Sequence, residues 1–219
     1  MSLEIYWISG SPYSWRALLA LELKKLSYTS RLLTASKGEH KSPDYLKLNP
    51  RGKVPTLKDG DTVVCESLAI LQYLDRKHPE PPLFGRNAQE AAKIMQSVSE
   101  TASYFEPGML QIAGALFFGG LDKNLEQVQT ALKTIAQEFQ TVNARLGDSP
   151  WLVNGQCSAA DIALFPMVQI LQRALSKPEA AGLKSDLLPL HERFPAIARW
   201  MSAVETLPGY ERTYPPHWR

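Results

Sequence analysis

The chain has 219 residues, 44% of them hydrophobic, with 24 Lys and Arg against 22 Asp and Glu. At roughly 100 to 200 residues per domain, this length allows one large or two small domains with a substantial core. The net charge of +2, with both signs interspersed, provides no basic stripe for a nucleic-acid backbone or an anionic membrane, so we expect neither as a partner.

The N-terminal residues and the metal-binding side chains exclude further classes. The sequence begins without a basic segment ahead of an apolar run, and no apolar stretch approaches the roughly 18 residues of a spanning helix. The 2 cysteines and 4 histidines are scattered singly, without the spacing of a zinc site or a disulfide framework. We therefore expect a cytoplasmic protein without a bound metal.

Residues 1–78 alternate strand-like runs with helical ones, which is the pattern of an α/β unit. A β-favouring run at 3–8 ends in a Ser-Gly-Ser-Pro cluster that opens a helix. A second strand-like run follows at 28–33. This order predicts a strand, helix, strand crossover.

The rest of this region predicts a hairpin between two helices. Residues 36–50 are polar and contain glycine and proline, which indicates a loop with one short helix at 44–48. An Asp-Gly turn joins the strand-like runs 54–58 and 62–65 and is a strong hairpin signal. A longer helix is predicted at 66–78.

A proline-rich segment after residue 78 ends that helix, because successive prolines remove backbone donors and exclude the α region for the residues before them. We predict a linker at 79–86 and a separate all-helical domain at 87–219. Apolar residues in that domain step by three and four positions, as in a helical bundle. They are Leu125, Val128, Leu132, Ile135, Phe139, Val142 and Leu146.

Two helix starts in the second domain have recognisable signals. Ser158 and Asp161 have the spacing of a capping box, in which each side chain accepts a hydrogen bond from the backbone N–H of the other residue. Pro195 opens the last clear helix, which ends at Pro208-Gly209. We interpret these features as structural.

A serine hydroxyl stands at the predicted start of the first helix, where Pro12 fixes the first turn. Two roles are open for Ser11: it caps the helix, or its hydroxyl and the positive helix end together stabilise an anion such as a thiolate. No triad-like arrangement surrounds it, so a hydrolase nucleophile is disfavoured. If Ser11 has a chemical role it is a donor, with Ser9, Tyr13 and Ser14 as rivals.

Two further clusters follow in the same domain. A proline within a strand is tolerated at an edge or a bend, and a bend at Val54-Pro55 would turn the Val54 N–H and C=O outward, where they could pair with an extended, peptide-like ligand. The alternative is a plain loop that leads into an edge strand. Glu66 and Ser67 begin a helix and are caps by default. As binding groups, Ser67 and the helix N–H groups suit a carboxylate, whereas Glu66 suits an ammonium.

The three clusters fit one ligand. A peptide with an α-amino acid head, a central thiol and a carboxylate tail needs a head-group clamp, a backbone ladder, a thiolate donor and a cation. Lys41 and Lys53 supply candidate cations. The ligand with this chemistry is glutathione.

The motifs resemble the cytosolic glutathione S-transferases, and the resemblance covers nearly the whole chain. It rests on S-P-Y-S-W-R from Ser11, N-P-R-G-K-V-P from Asn49, E-S-L-A-I-L-Q-Y-L from Glu66 and S-A-A-D from Ser158. It implies a thioredoxin-like α/β N-terminal domain and an all-α helical-bundle C-terminal domain. It also implies glutathione as substrate, a small electrophile as its partner, and a homodimer.

The resemblance implies a role for each matching residue. Serine-type members have their thiolate-stabilising hydroxyl at the position of Ser11. Their cis-proline matches Pro55, and their backbone pairing with the cysteinyl part of glutathione matches Val54. Glu66 and Ser67 match the residues that clamp the γ-glutamyl head. Lys41 and Lys53 match basic residues that approach the glycine carboxylate.

The motifs divide between subgroups of the family. Ser-Pro-Tyr and Cys-Glu-Ser-Leu resemble the tau class, whereas Ser-Trp-Arg resembles the zeta-class motif of maleylacetoacetate isomerases. Zeta members carry a cysteine where this chain has Tyr13. We expect conjugation of glutathione to hydrophobic electrophiles, in detoxification. The alternatives are a glutathione-dependent cis–trans isomerase of a small unsaturated acid and a non-catalytic binding module.

Overall fold

Four short strands form one mixed sheet in the first part of the chain. In the computed structural model they are β1 (Leu3–Trp7), β2 (Tyr28–Leu32), β3 (Thr56–Asp59) and β4 (Thr62–Cys65). Their order is β2-β1-β3-β4, with β1 parallel to β2 and antiparallel to β3, and β3 antiparallel to β4. The predicted crossover between parallel strands and the predicted hairpin are both confirmed.

The structure describes residues 3–183 and 185–218, which divide into a first unit (3–84 with 206–218) and a second unit (85–205). The helices in chain order are α1 (Pro12–Leu23), α2 (Pro43–Leu48), α3 (Ser67–Lys77), α4 (Ala88–Glu100), α5 (Glu106–Phe117), α6 (Leu125–Leu146), α7 (Ala159–Leu175), α8 (Leu190–Arg193), α9 (Pro195–Glu205) and α10 (Tyr210–Thr213). None of the helices described is long and apolar enough to cross a membrane.

The predicted domain limits of 1–78, 79–86 and 87–219 stay a prediction, and their residues 1, 2, 184 and 219 lie outside the described residues. The structure groups the segment 206–218 with the first unit. Short helix α10 is part of that segment and packs on α1.

The core of the first unit lies between the sheet and two helices. β1 buries every second side chain, Leu3, Ile5 and Trp7, as a strand covered on one face does. Helix α1 is buried from Ser14 to Glu22 and packs on α3. The first residues of α1 follow shortly after the end of β1, so they lie at one end of the sheet. Loops at such positions often form functional sites.

The chain after α3 is pinned to α1 by Lys24. The Lys24 ammonium, with a fully buried side chain, donates to the Asp75 carboxylate at 2.9 Å. It also donates to the carbonyls of His78 and Pro81, at 2.7 Å each. A buried cation is stable only with such partners, so this segment has a defined position in the first unit.

The second unit is helical, and its core follows the predicted stripe of α6. Val128, Leu132, Ile135, Phe139 and Leu146 are buried, whereas Leu125 is 43% exposed and Val142 is half-buried. Leu125 departs from the prediction because it is the first residue of the helix. The ring of Phe139 stacks on Phe105 and meets Phe194 edge-on, with centroids 5.5 and 5.1 Å apart.

Helix α7 begins with the predicted capping box. The Asp161 carboxylate accepts from the backbone N–H of Ser158 at 2.9 Å, and the Ser158 hydroxyl accepts from Ala160 N–H at 3.3 Å. Asp161 also accepts from Leu152 N–H and from the Trp200 indole, at 2.9 Å each. Because Asp161 is fully buried, these donors fix the start of α7 against α9.

A single π-helical turn, Thr101–Phe105, connects α4 to α5. Pro107 follows in the first turn of α5 and has no N–H to donate to the preceding turn. The Glu106 N–H donates to the carbonyl of Thr101, five residues back. The sequence analysis did not predict this wider turn.

Candidate active site

Ser11 is the N-cap of α1. Its hydroxyl oxygen accepts a hydrogen bond from the Ser14 N–H at 3.2 Å, and its backbone is extended with φ −76° and ψ 118°. Pro12 occupies the first turn, which contains no acidic residue, so no side-chain carboxylate there offsets the positive end of the helix. The half-buried Ser11 hydroxyl therefore stands where an anion would be stabilised.

The two rival serines have different surroundings. Ser9 Oγ and His217 Nδ1 are 2.6 Å apart and share a hydrogen bond. Ser14 is fully buried, and its hydroxyl accepts from the Ile8 N–H at 3.4 Å. Ser9 precedes the helix and Ser14 is buried in its first turn, whereas Ser11 is the N-cap and is partly accessible.

The loop that leads into β3 presents the backbone N–H and C=O of one residue, Val54. The Val54–Pro55 bond is cis. The preceding Lys53 carbonyl accepts from the Tyr45 hydroxyl at 2.6 Å and from the Asn49 amide at 2.9 Å. Within residues 3–183 and 185–218, the Val54 N–H and C=O have no hydrogen-bond partner. These groups are therefore available to an extended ligand.

Glu66 and Ser67 stand at the start of α3. Glu66 is exposed and has a φ of +70°, a conformation that costs a residue with a side chain about 1 to 3 kcal/mol and that clusters at functional sites. Ser67 is buried, and its hydroxyl accepts from the Arg16 guanidinium at 3.5 Å. The two side chains occupy the helix N-terminus together.

Arg16 was not predicted as a site residue. Its side chain is buried, with the guanidinium carbon 5.2 Å from the centre of the Tyr13 ring. Buried arginines require partners, and this one places a positive charge beside Ser67. The signal in the sequence was a charged residue directly before the apolar run Ala17–Leu21.

Lys41 lies against the turn that leads to Val54, and Lys53 belongs to that turn. The exposed Lys41 ammonium donates to the Arg51 carbonyl at 3.3 Å. Gly52 has φ +57°, and a Cβ there would lie 2.7 Å from Lys41 Nζ, so glycine permits this approach. Neither lysine pairs with a carboxylate among the described residues.

Two other side chains carry potentially reactive or ligating atoms. Cys157 is half-exposed as a residue, but burial raises the pKa of its thiol well above the usual range, so it is no thiolate. His40, next to Lys41, has a buried Nδ1 without a hydrogen-bond partner in the part of the chain described. Within that part, no group of three or more His, Cys, Asp or Glu side chains could hold a metal.

Comparison with known proteins adds to this geometry. The family models for the glutathione S-transferase N-terminal and C-terminal domains match residues 10–77 and 105–208. A probable maleylacetoacetate isomerase 1 of Drosophila melanogaster is 33% identical over 216 residues, or 96% of this chain and 79% of that protein. Glutathione S-transferase A of Pleuronectes platessa is 28% identical over 230 residues, or 99% and 92% of the two chains.

A solved structure agrees with the family models and with the two relatives. The crystal structure of a glutathione S-transferase from the Antarctic clam Laternula elliptica matches with a TM-score of 0.84 and 31% identity, over 100% of this chain and 94% of that one. The matches span both units, and they agree with the predicted fold class. The chain belongs to the glutathione S-transferase family.

Proposed function

We propose that the first unit binds glutathione, that Ser11 holds its thiol as a thiolate, and that the sulfur adds to small hydrophobic electrophiles. The observation that carries the proposal is the position of the Ser11 hydroxyl. Its oxygen already accepts from the Ser14 N–H, so its hydrogen remains for donation to a group outside the helix. That group is favoured as an anion, because it faces the positive end of α1.

A hydrogen bond and a helix end together can supply the free energy needed to lower the pKa of a bound thiol. A free thiol has a pKa of about 8.5, so only a few per cent is the nucleophilic thiolate at neutral pH. Lowering that pKa by about two units requires roughly 2.7 kcal/mol of preferential stabilisation. One hydrogen bond to a charged group supplies about 1.5 to 3 kcal/mol, and the helix end adds a smaller share.

The reaction step conserves atoms and charge. The thiol proton leaves to solvent on binding, and the thiolate electron pair forms a new carbon–sulfur bond with the electrophile. A leaving group departs with its bonding pair, or, in an addition, the carbon that gains the pair takes a proton from water. Ser11 keeps its proton throughout and acts only by donating a hydrogen bond.

The remaining groups would hold the rest of glutathione. The Val54 N–H and C=O would pair with the cysteinyl backbone, with Pro55 closing that bend. Glu66 and Ser67 would bind the ammonium and carboxylate of the γ-glutamyl head, since they suit opposite charges. The cations Lys41 and Lys53 would attract the glycine carboxylate. None of these contacts involves the sulfur, so binding and activation are separable.

A serine scan tests the proposal. Thioether formation from glutathione and chlorodinitrobenzene is measured for the wild type and for Ser11→Ala, Ser9→Ala and Ser14→Ala. We expect turnover to fall most for Ser11→Ala, with the KM for glutathione little changed. Activity that survives Ser11→Ala but disappears with Ser9→Ala or Ser14→Ala would refute the assignment. Binding of glutathione without any thioether product would instead favour a non-catalytic binding module.

Isomerisation of a small unsaturated acid is the second candidate. It is favoured by the 33% identity to a protein named as a probable maleylacetoacetate isomerase. In that reaction glutathione adds to the double bond and leaves again, so none is consumed. Measuring glutathione consumption per product with maleylacetoacetate distinguishes the two: transfer consumes one thiol per product, whereas isomerisation consumes none.

We further propose that the protein works as a homodimer in the cytoplasm, in detoxification. Support comes from the family resemblance, and from Cys65 and Cys157, which are free thiols as expected in a reducing compartment. Sedimentation equilibrium tests the first point: a mass near twice 24.4 kDa is expected, and a monomer mass would contradict it.

A further inference from the structure

The segment 206–218 is anchored to α1 by a buried indole. The Trp15 indole donates to the Thr213 hydroxyl at 2.8 Å, and both residues are buried. Its ring also meets Tyr214 and Trp218 edge-on, with centroids 5.8 and 5.5 Å apart. Aromatic contacts of this kind place the last described residues firmly on the first unit.

An ion pair holds the same segment further along α1. The buried Glu22 carboxylate accepts from Arg212 Nε at 2.9 Å and from the Tyr28 hydroxyl at 2.8 Å. Gly209, with φ +83°, lies so close that an added Cβ would be 2.5 Å from the Glu22 carboxylate. The segment is therefore held at two separate points before it reaches His217.

His217 lies on the turn that precedes Ser11. Its Nδ1 is 2.6 Å from Ser9 Oγ, and its ring covers Gly10. A Cβ added at Gly10 would lie 2.9 Å from His217 Cε1 and 3.2 Å from Nε2. Gly10 also has φ +82°, a left-handed conformation that favours glycine.

That turn determines where Ser11 stands. The Ser11 N–H donates to the Ile8 carbonyl at 3.2 Å, which closes a four-residue turn with Ser9 and Gly10 at its centre. His217 therefore contacts both central residues, and Ser11 follows directly. A donor must be held within a few tenths of an ångström for full effect on a developing charge, so support of its turn matters for the reaction.

We propose that His217 is a positioning residue for thiol activation, acting through the Ser9-Gly10 turn on Ser11. The inference rests on the proposed role of Ser11 in holding the glutathione thiolate. The segment's attachment does not depend on His217, because Trp15 and Glu22 hold it elsewhere. The exposed imidazole can thus be changed with its supports left in place.

The experiment compares the wild type with His217→Ala, His217→Asn and the control His191→Ala. The asparagine amide retains a polar group at the position of Nδ1, so it can still bond to Ser9. His191 is an exposed histidine of the second unit beside Glu192. The readouts are kcat, the KM for glutathione, the thiolate absorbance of bound glutathione against pH, and the thermal midpoint.

We expect kcat for His217→Ala to fall about tenfold, the size that corresponds to one hydrogen bond, with the KM for glutathione within about twofold. The pKa of the bound thiol should rise toward its free value. His217→Asn should recover much of the loss, and His191→Ala should match the wild type. Ser9→Ala should resemble His217→Ala, and the double variant should add little, because both remove the same contact.

Three results would overturn the inference, and they can be told apart. If the wild type binds glutathione with a low thiol pKa and His217→Ala leaves that pKa and kcat unchanged, His217 has no positioning role and the role of Ser11 stands. If His217→Ala lowers only the thermal midpoint, the contact is structural and the inference is again wrong. If the wild-type thiol shows no lowered pKa, the proposed function itself fails, and the inference fails with it.

Discussion

Helices α1 and α7 both begin with a capping serine, and the surroundings of these two serines differ. Ser158 at the start of α7 is 1% exposed, and its hydroxyl donates to the Asp161 carboxylate at 3.0 Å. Ser11 at the start of α1 is half-buried, and the first turn after it holds no acidic residue. One helix start is neutralised by the chain's own carboxylate, and the other is not.

This difference shows how one residue type at one local position serves two purposes. Around Ser158 the serine hydroxyl and the Asp161 carboxylate are hydrogen-bonded to groups of the protein itself, which stabilises the fold. Around Ser11 the positive helix end and a hydroxyl proton remain for an anion supplied by a ligand. The distinction lies in the residue three positions later, which is Asp161 in one helix and Ser14 in the other.

The largest effect is expected from removing the internal carboxylate. Asp161→Ala leaves the buried donors of Leu152, Ser158 and Trp200 without an acceptor. We expect the free energy of unfolding to fall by about 3 to 5 kcal/mol, measured by urea denaturation. Asp161→Asn, which keeps one acceptor oxygen, should lose less. A loss below about 1 kcal/mol for the alanine variant would contradict this account of α7.

The next effect separates the two serines by activity. Ser11→Ala should lower kcat about ten- to a hundredfold, because a hydrogen bond to a charged sulfur is lost, while Ser158→Ala should leave kcat within about twofold. Steady-state kinetics at saturating glutathione measure this. Ser11→Thr, which keeps the hydroxyl, is the matched control and should retain more activity than Ser11→Ala. Equal losses for both alanine variants would remove the distinction.

A smaller effect separates the same serines by stability. Both substitutions remove an N-cap, which costs about 0.5 to 2 kcal/mol. Ser158→Ala should be near the upper end, because it also leaves the buried Asp161 carboxylate without one donor, and Ser11→Ala near the lower end. Thermal unfolding monitored by circular dichroism gives the comparison. A larger loss for Ser11→Ala would show that its cap is mainly structural.

The smallest effect concerns two buried aspartates with opposite pKa shifts. Hydrogen bonds from the Lys77 ammonium and Tyr73 hydroxyl hold the pKa of Asp59 below its usual value. Burial, with only neutral donors around it, raises the pKa of Asp161. An aspartate whose pKa is lowered in the folded state stabilises the fold at pH values above its unfolded pKa, and this stabilisation is lost on acidification. An aspartate whose pKa is raised in the folded state favours the fold at low pH, and this stabilisation is lost as the pH rises.

Asparagine variants test the direction in which each aspartate changes the stability with pH. From about pH 3 to 6 the stability of the wild type relative to Asp59→Asn should increase with pH, and relative to Asp161→Asn it should decrease. The Asp59 effect is modest because the Lys77 side chain is 45% exposed and its charge is screened. Urea denaturation at several pH values tests both, and slopes of the same sign would contradict the assignments.

Local signals explain why much of the fold was predictable. The start of α1 follows from Ser11 and Pro12, and the β3–β4 hairpin from the Asp59-Gly60 turn, since each depends on neighbouring residues. The capping box of α7 is likewise a pattern of four residues. Candidate site residues were found where such signals coincide with chemical groups at helix or strand ends.

Other features depend on contacts between distant residues and left no local signal. Ser9 and His217 are 208 positions apart, and the Trp15–Thr213 bond spans 198. Arg16 has its place because α1 packs on α3, which periodicity alone does not specify. The contact of His217 with the turn before Ser11 therefore has no local pattern in the sequence that would predict it.

One measurement tests the central claim most directly: the ultraviolet absorbance of the thiolate of bound glutathione, titrated against pH for the wild type and Ser11→Ala. We predict that the wild-type thiol titrates about two units below its free pKa of about 8.5, and that Ser11→Ala returns it most of the way. A bound thiol that titrates at its free value in the wild type, or at the same lowered value in both proteins, would contradict the role of Ser11.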